Sequence, residues 1–171
     1  MNRFIVMFDA SPGSAPNAWM KQAAEQTGLF VVDPDEIAQF MGKDPEARHD
    51  LLNLKGKLPD PVLSPHFQRA FNELTQGKER VALPSFSWIV YGLKPDAAIY
   101  SFDQVNNPQE YEKARQSSLP AGEYDKHVAF IKKAVLDLVA QVPADRRLEC
   151  KGTDAQKATL AAQFIRSKQP R

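Results

Sequence analysis

The stretch FIVMFDASPGSAPNAWMKQAAEQTG, residues 4–28, places an apolar run, a turn and a helical segment in direct succession. Residues 4–8 are continuously apolar and predict a buried strand. Residues 9–16 predict a tight loop, and residues 17–26 predict a helix that Gly28 ends. The stretch therefore has the layout of a βα unit, in which the loop after a strand leads directly into a helix.

The loop of this unit can be compared with a phosphate-binding loop. The signature G-x-x-x-x-G-K-[ST] supplies glycines whose backbone N–H groups surround phosphate oxygens, and a lysine that neutralises them. The signature positions of this chain hold Ala10, Ala15, Pro16 and Asn17. None of the four matches. Two interpretations stay open for the loop: an anion-binding nest around Gly13 at the helix N-terminus, or a tight turn that proline stiffens.

Composition limits the classes of protein that the chain can belong to. Its 171 residues suggest one domain with a sizeable core. The net charge of +1, from 22 basic and 21 acidic residues, argues against nucleic acid as a partner. The single cysteine, Cys150, excludes an intramolecular disulfide and a cysteine-based zinc site. The short apolar start is neither a secretory signal nor a membrane span, so we expect a cytoplasmic protein without a membrane partner.

The remaining sequence alternates between strand-like and helix-like segments. Strands are predicted at residues 29–33, 80–83, 96–103 and 146–152. Helices are predicted at residues 34–41, 46–54, 61–76, 107–116, 124–142 and 154–168. Strands that alternate with helices predict an α/β fold in which a short parallel sheet lies between two layers of helices, the three-layer α/β/α arrangement.

Several segments, in the same order, resemble the adenylate kinase-like nucleoside monophosphate kinases, a branch of the P-loop NTPase superfamily. The loop ASPGSAP keeps Pro12, Gly13 and Ser14 of the family's G-x-P-G-x-G-K loop. GKLPD at residues 56–60 resembles the turn after the monophosphate-binding helices, and LPSF at residues 83–86 resembles a strand running into F-P-R. Residues 99–116 resemble the approach to the lid, and residues 149–165 the closing strand, D-G-T turn and last helix.

This resemblance implies a single adenylate kinase-like domain over residues 1–171. Residues 34–76 would be the monophosphate-binding helical insertion and residues 117–124 a reduced lid. ATP or another nucleotide with Mg²⁺ is the implied cofactor. The residues implied to bind it are Ser11, Gly13, Ser14, Asn17, Gly152 and Thr153.

The chain departs from the family at the residues that carry charge. Pro16 stands at the lysine position, and proline offers neither a charge nor an N–H to a phosphate. The arginines expected near Ala38, after Phe86 and in the lid are missing as well. Phosphoryl transfer depends on such cations, so we expect an impaired enzyme that serves as a nucleotide-binding or protein-interaction scaffold. The alternative is an active nucleoside monophosphate kinase with an atypical loop that uses Lys21, Arg115 or a lysine such as Lys55 or Lys57. Exposed helical lysines are, however, far commoner than relocated catalytic ones.

Acidic residues follow the first two predicted strands. Asp9 and Asp33 lie at the carboxyl ends of these strands, where open α/β sheets bind ligands. Two carboxylates with phosphate oxygens suit Mg²⁺, so both are candidate metal ligands. The competing interpretation is that Asp33, before Pro34, caps the next helix and that Asp35 and Glu36 complement its dipole.

The segment FSWIVYGL, Phe86 to Leu93, is unusually apolar and aromatic. It can form part of the core, contact a protein partner or a second copy of the chain, or stack on a base. Core is the first expectation and a partner surface the second. Cys150 ends a predicted core strand and is expected to be a buried apolar group rather than a nucleophile.

Overall fold

The computed structural model describes residues 3–10, 16–42, 64–102 and 123–169. In these ranges the strands are β1 Phe4–Ala10, β2 Phe30–Val31, β3 Arg80–Leu83, β4 Ala97–Ser101 and β5 Arg147–Glu149. The helices are α1 Pro16–Thr27, α2 Pro34–Met41, α3 Ser64–Leu74, α4 Glu123–Val139 and α5 Asp154–Lys168. Short 3₁₀ helices lie at Phe86–Ile89 and Ala144–Arg146.

The strands form one parallel sheet in the order β2-β3-β1-β4-β5. β1 lies at the centre, with Val6 opposite Ala82 of β3 and Phe8 opposite Ile99 of β4. From β1 the chain first forms the edge strand β2, returns to form β3 between β2 and β1, and then builds outward on the other side with β4 and β5. The order therefore reverses at β1, which makes the end of β1 the topological switch point of the sheet.

Alternation along β1 divides the core into two layers. Successive side chains of a strand point to opposite faces. Ile5 and Met7 join the core under α2, α3 and α4. Phe4, Val6 and Phe8 join the core under α1 and α5. Because both faces are covered by helices, β1 is apolar throughout its buried part, and the predicted three-layer α/β/α fold is confirmed.

Helices α1 and α5 pack against each other on one face of the sheet. Their contact is rich in alanine, with Ala23, Ala24, Ala158 and Ala161 all buried. Small side chains let the two helices approach closely. Trp19 fills the space beneath them and meets the Phe8 ring edge-on at a centroid distance of 5.6 Å.

Element boundaries differ from expectation in a few places. β2 covers only Phe30–Val31, because Asp33 already caps α2. The prediction that the long helix reaches Val142 is wrong: α4 ends at Val139. The chain then turns, with the Val142 N–H donating to the Val139 carbonyl. The predicted helices at 46–54 and 107–116, and residues 117–122 of the predicted lid, lie outside the described residues. No helix in the described ranges has the length and apolar character that a membrane span needs.

Candidate functional site

The carboxyl ends of all five strands meet at one edge of the sheet, because the strands are parallel. Residues at or just after these ends include Asp9, Asp33, Ser85, Ser101 and Cys150. In open α/β sheets, ligands bind in the crevice outside this edge, at the switch point. A ligand site is therefore expected at this carboxyl edge. Both predicted metal ligands lie at it, Asp9 in β1 and Asp33 after β2.

A cavity of about 590 Å³ opens at this edge between α1, β2 and the turn after β3. Its lining residues are Met20, Lys21, Val31, Val32, Asp33, Asp35 and Pro84. Four of them are apolar, one is cationic and two are carboxylates. The structure thus brings Lys21 and Asp33 to the same cavity, although the sequence separates them by a helix end and a strand.

Lys21 lies on the exposed side of α1, one turn after the helix begins. Its position lets an extended ammonium group reach a ligand in the cavity. Arg115, Ser11, Gly13 and Ser14 lie outside the described residues, so their predicted roles stay predictions. Asn17 lies in the first turn of α1.

Asp33 caps α2, as the competing interpretation predicted. Its Oδ1 accepts a hydrogen bond of 2.8 Å from the Asp35 N–H, and Pro34 occupies the first helical position. Asp35 and Glu36 follow in the first turn, where negative charge is favourable. The cap fixes the Asp33 carboxylate at the cavity wall, so its structural role also positions it for a ligand.

Asp9 holds the end of β1 against the turn after β3. Its Oδ1 accepts from the Ala10 N–H at 2.8 Å and its Oδ2 from the Phe86 N–H at 2.9 Å. The Ser85 side chain adds a further hydrogen bond. Burial raises the pKa of Asp9 above its ordinary value, and these hydrogen bonds offset only part of that effect. The carboxylate is therefore engaged with the protein at the switch point.

No group of three or more His, Cys, Asp or Glu side chains suited to a metal ion occurs within the described ranges. Asp9 and Asp33 consequently do not belong to a larger protein-only cluster there. A magnesium ion that is held mainly by phosphate oxygens needs only one or two carboxylates. Metal binding by these two residues stays a prediction.

Gly152 and Thr153 start α5. The Thr153 Oγ1 accepts from the Gln156 N–H at 3.1 Å, and the Gln156 Oε1 accepts from the Thr153 N–H at 2.8 Å, which is a capping box. Gly152 has φ +111°, and a Cβ there would come within 2.3 Å of the Gln156 Oε1. The glycine is therefore required by the cap. The predicted nucleotide contact of both residues stays a prediction.

The sequence analysis missed a buried lysine. Lys157 is only 1% exposed and lies in the first turns of α5. It precedes the buried Ala161 and Ile165 by four and eight positions, so its place on the apolar stripe was the available signal.

Lys157 packs beside Cys150. The Cys150 thiol lies 3.8 Å from the Lys157 carbonyl oxygen. Burial raises the pKa of Cys150 to about 12, and the positive charge of Lys157 offsets part of that rise. Cys150 is fully buried, which confirms that it is a core group rather than an exposed thiol.

The aromatic segment after β3 is mainly core. Phe86 and Trp88 are 0% and 6% exposed, and Phe67 packs edge-on against Trp88 at 5.0 Å. Tyr91 is half-buried and stacks on Phe67 at 4.5 Å. The core interpretation is confirmed for Phe86 and Trp88. A protein partner would meet only the half-buried residues around Tyr91.

Solved structures of other proteins show the same fold as this chain. No family model and no curated protein matches the chain. An uncharacterized protein from Eubacterium ventriosum has 11% sequence identity and a TM-score of 0.57, over 97% of this chain and 99% of that one. TT1252 from Thermus thermophilus has 12% identity and a TM-score of 0.53, over the whole of both chains. Both have the same overall fold as this chain.

An unliganded sugar kinase from Janibacter sp. HTCC2649 aligns less well. Its identity is 16% and its TM-score 0.48, over 96% of this chain and 95% of that one. At these levels of identity the likeness concerns the fold alone. The chain is thus a three-layer α/β protein with a parallel sheet, and the cavity at its carboxyl edge lies between α1, β2 and the turn after β3.

Proposed function

We propose that this chain binds a nucleoside monophosphate in the carboxyl-edge cavity and transfers phosphoryl groups poorly or not at all. The observation that carries the proposal is the cavity itself, which lies at the carboxyl edge of the sheet beside β2 and is lined by Lys21, Asp33 and Asp35. Its volume of about 590 Å³ falls in the range of small-ligand sites.

The lining suits the parts of a nucleotide. Met20, Val31 and Pro84 offer an apolar wall for the face of a base. The carboxylates of Asp33 and Asp35 can accept hydrogen bonds from ribose hydroxyls or from an exocyclic amino group. The Lys21 ammonium can donate to a phosphate oxygen. Each group of the ligand then meets a partner of complementary chemistry.

Charge argues against efficient transfer. Among the described residues that line the cavity, Lys21 is the single cation and faces two carboxylates. Phosphoryl transfer needs cations that absorb charge on the transferred group, and loss of an arginine finger alone costs about 10³–10⁵ in rate. Pro16 further removes the loop lysine. We therefore expect the chain to bind a nucleotide but to transfer phosphoryl groups poorly.

A second candidate is an active monophosphate kinase with an atypical loop. The position of Lys21 at the cavity favours it, because the lysine could act on a phosphate from there. Arg115 would supply the second cation, and Mg²⁺ would bridge phosphate oxygens and the carboxylates. In this case the alanine variants of Lys21 and Arg115 lose transfer activity.

Thermal unfolding with a panel of ribo- and deoxynucleoside monophosphates, with and without Mg²⁺, tests binding. A ligand at 100 times its Kd stabilises the fold by about 2.7 kcal/mol, which raises Tm by about 5–11 °C for a chain of this size. We expect Lys21→Ala and Asp33→Asn to reduce the shift. Asparagine keeps the cap of α2, so the second variant isolates the charge.

Lys133→Ala, on the exposed side of α4, is the matched control and should leave the shift unchanged. The binding proposal fails if no nucleotide changes Tm, or if the shift is the same in all variants. A transfer assay with ATP and the same panel then separates the two candidates. Turnover near the usual enzyme median of about 10 s⁻¹ would reject the impaired enzyme in favour of the active kinase.

A further inference from the structure

A second cavity lies at the opposite edge of the sheet from the candidate nucleotide site. It encloses about 430 Å³ between the turn after the first 3₁₀ helix and the end of α4. Two of its lining residues precede strands: Pro95 lies two positions before β4, and Arg146 lies directly before β5. The cavity is therefore at the amino-terminal edge, remote from Lys21 and Asp33.

The wall of this cavity is mainly apolar. Its apolar residues are Ile89, Leu93, Pro95, Val142 and Pro143. Val142 is buried, whereas Ile89 and Leu93 are half-buried and present part of their surface. This surface can cover the hydrocarbon part of a small ligand, and the volume matches sites of that kind.

Hydrogen bonds fix both sides of the cavity in advance. On one side, the Gly92 N–H donates to the Ile89 carbonyl at 3.0 Å, and the Gln68 Nε2 donates to the Tyr91 carbonyl at 2.8 Å. Gly92 has φ +89°, and a Cβ there would lie 2.8 Å from the Gln68 Nε2. The turn therefore requires glycine, and its shape does not depend on a ligand.

The other side is built from the end of α4 and the second 3₁₀ helix. The Val142 N–H donates to the Val139 carbonyl, and the Arg146 N–H to the Pro143 carbonyl, each at 2.9 Å. Arg147 Nη1 donates to the Val139 carbonyl at 3.3 Å, which offsets the negative end of the helix dipole. A preformed cavity of this kind loses little entropy when it binds.

Two cations stand at the rim of the apolar wall. Lys94 is exposed, and Arg146 is 49% exposed. Arg146 has an acidic partner in Asp96, whose Oδ1 lies 3.8 Å from Arg146 Nη1. An ion pair as exposed as this one contributes little to stability. Asp96 is also held by the Ile5 N–H at 2.8 Å, so the arginine can add a second partner without displacing it.

We propose that this cavity is a binding site for a small apolar monocarboxylate, such as an aromatic or branched-chain acid. The hydrocarbon part would lie against Leu93 and Val142. The carboxylate would pair with the guanidinium of Arg146, which can donate two parallel hydrogen bonds, and with Lys94. A sugar phosphate fits less well, because its hydroxyl groups would face the apolar wall without partners.

Isothermal titration with phenylpropanoate and its neutral amide, phenylpropanamide, tests this site. The two probes share the apolar group and differ in charge. We expect the acid to bind a few-fold to about tenfold more tightly than the amide, because each exposed cation contributes modestly to an ion pair and both would act on the same carboxylate. The preference should shrink as salt concentration rises, because both cations are exposed.

Variants separate the two parts of the site. Arg146→Gln and Lys94→Gln should bring the affinity for the acid towards that of the amide, and Arg146→Lys should retain part of the preference. Leu93→Asn should weaken both probes together. Arg166→Gln, on the exposed surface of α5, is the control and should change neither. All four positions are exposed or half-buried, and Tm of each variant verifies folding.

Several results would overturn the proposal. These are no binding of either probe, equal affinity for the acid and the amide, or a preference that survives in both Arg146→Gln and Lys94→Gln. Inorganic phosphate that displaces the acid at equal concentration would replace the proposal with a simple anion site. Binding of nucleotides at the other edge is measured separately, so neither result decides the other.

Discussion

Replacement of Asp9 tests how the switch point is held together. The Asp9 carboxylate accepts backbone hydrogen bonds from Phe86 at 2.9 Å and Ala10 at 2.8 Å. Asp9→Ala removes both acceptors. Phe86 is fully buried, so its N–H cannot find water in exchange, whereas Ala10 is half-buried and can. We expect the variant to loosen the join between β1 and the turn after β3.

The loss of unfolding free energy expected for Asp9→Ala comes from the buried Phe86 N–H, which loses its acceptor. An unsatisfied buried N–H costs about 1–3 kcal/mol, and we assign that amount to Phe86. For a chain of this size Tm falls by about 2–4 °C per kcal/mol, so Asp9→Ala should lower Tm by about 2–12 °C. Asp9→Asn should cost less, because its amide oxygen keeps one acceptor while its NH₂ group faces the other donor.

Comparing Asp9→Asn with the unchanged protein at several pH values shows whether ionisation of Asp9 raises or lowers the free energy of unfolding. Burial raises the pKa of Asp9 in the folded protein above its ordinary value of 3.8. Between these two pKa values the folded state binds more protons than the unfolded state. Stability from this group is therefore fully present below pH 3.8 and is lost as pH rises through the folded pKa. Asparagine does not titrate, so the stability advantage of Asp9 over Asn should shrink as pH rises.

Urea unfolding of both proteins from pH about 4 to about 8 measures this difference. Asp137→Asn, on the exposed side of α4, is the control and should change the unfolding free energy by less than about 0.5 kcal/mol. An advantage of Asp9 that grows with pH would refute the argument, because it would mean that the folded protein lowers the pKa. Unchanged stability of Asp9→Ala would refute the structural role.

Four further predictions concern the helices and the core. Trp19→Ala should lower the unfolding free energy by about 3–5 kcal/mol in urea titrations, because the fully buried ring leaves a cavity; a cost below about 1 kcal/mol would contradict its place in the core. Thr153→Ala should cost about 1 kcal/mol by loss of the cap of α5, and Thr153→Ser should restore most of it. The Cys150 thiol, with its pKa raised to about 12, should react with a disulfide reagent near neutral pH only after unfolding; rapid native-state labelling would disprove its burial. Lys157→Met should change that labelling only as far as it changes unfolding, because the reaction needs the unfolded state; slower labelling at unchanged unfolding would show that the lysine charge acts on the thiol in the folded protein.

Much of the fold was predictable from local pattern. The apolar run at residues 4–8 and the helical spacing that follows it identify β1 and α1 within a few residues. Pro34 after Asp33 indicated a capped helix, and the cap is present. These features depend on residues close in sequence, whose side-chain chemistry favours one backbone conformation.

The candidate site was predictable only in part. Lys21, Asp33 and Asp35 were identified as charged groups near strand and helix ends, but their common cavity was not. Lys157 was missed because a lysine within an alanine-rich helix ordinarily faces water. Its burial depends on how α5 packs against the rest of the fold, which sequence spacing alone does not specify.

By itself, the sequence determined the alternation of strands and helices, the absence of a complete phosphate-loop signature and the near-balanced charge, because each is a property of composition or of local spacing. Only the tertiary structure decided the order β2-β3-β1-β4-β5, the shared cavity of Lys21 and Asp33 and the junction of Asp9 with Phe86. These features join residues far apart in the chain, and they exist because parallel strands bring their carboxyl ends to one edge. The second cavity with its two cations likewise arises only where the ends of separate elements meet.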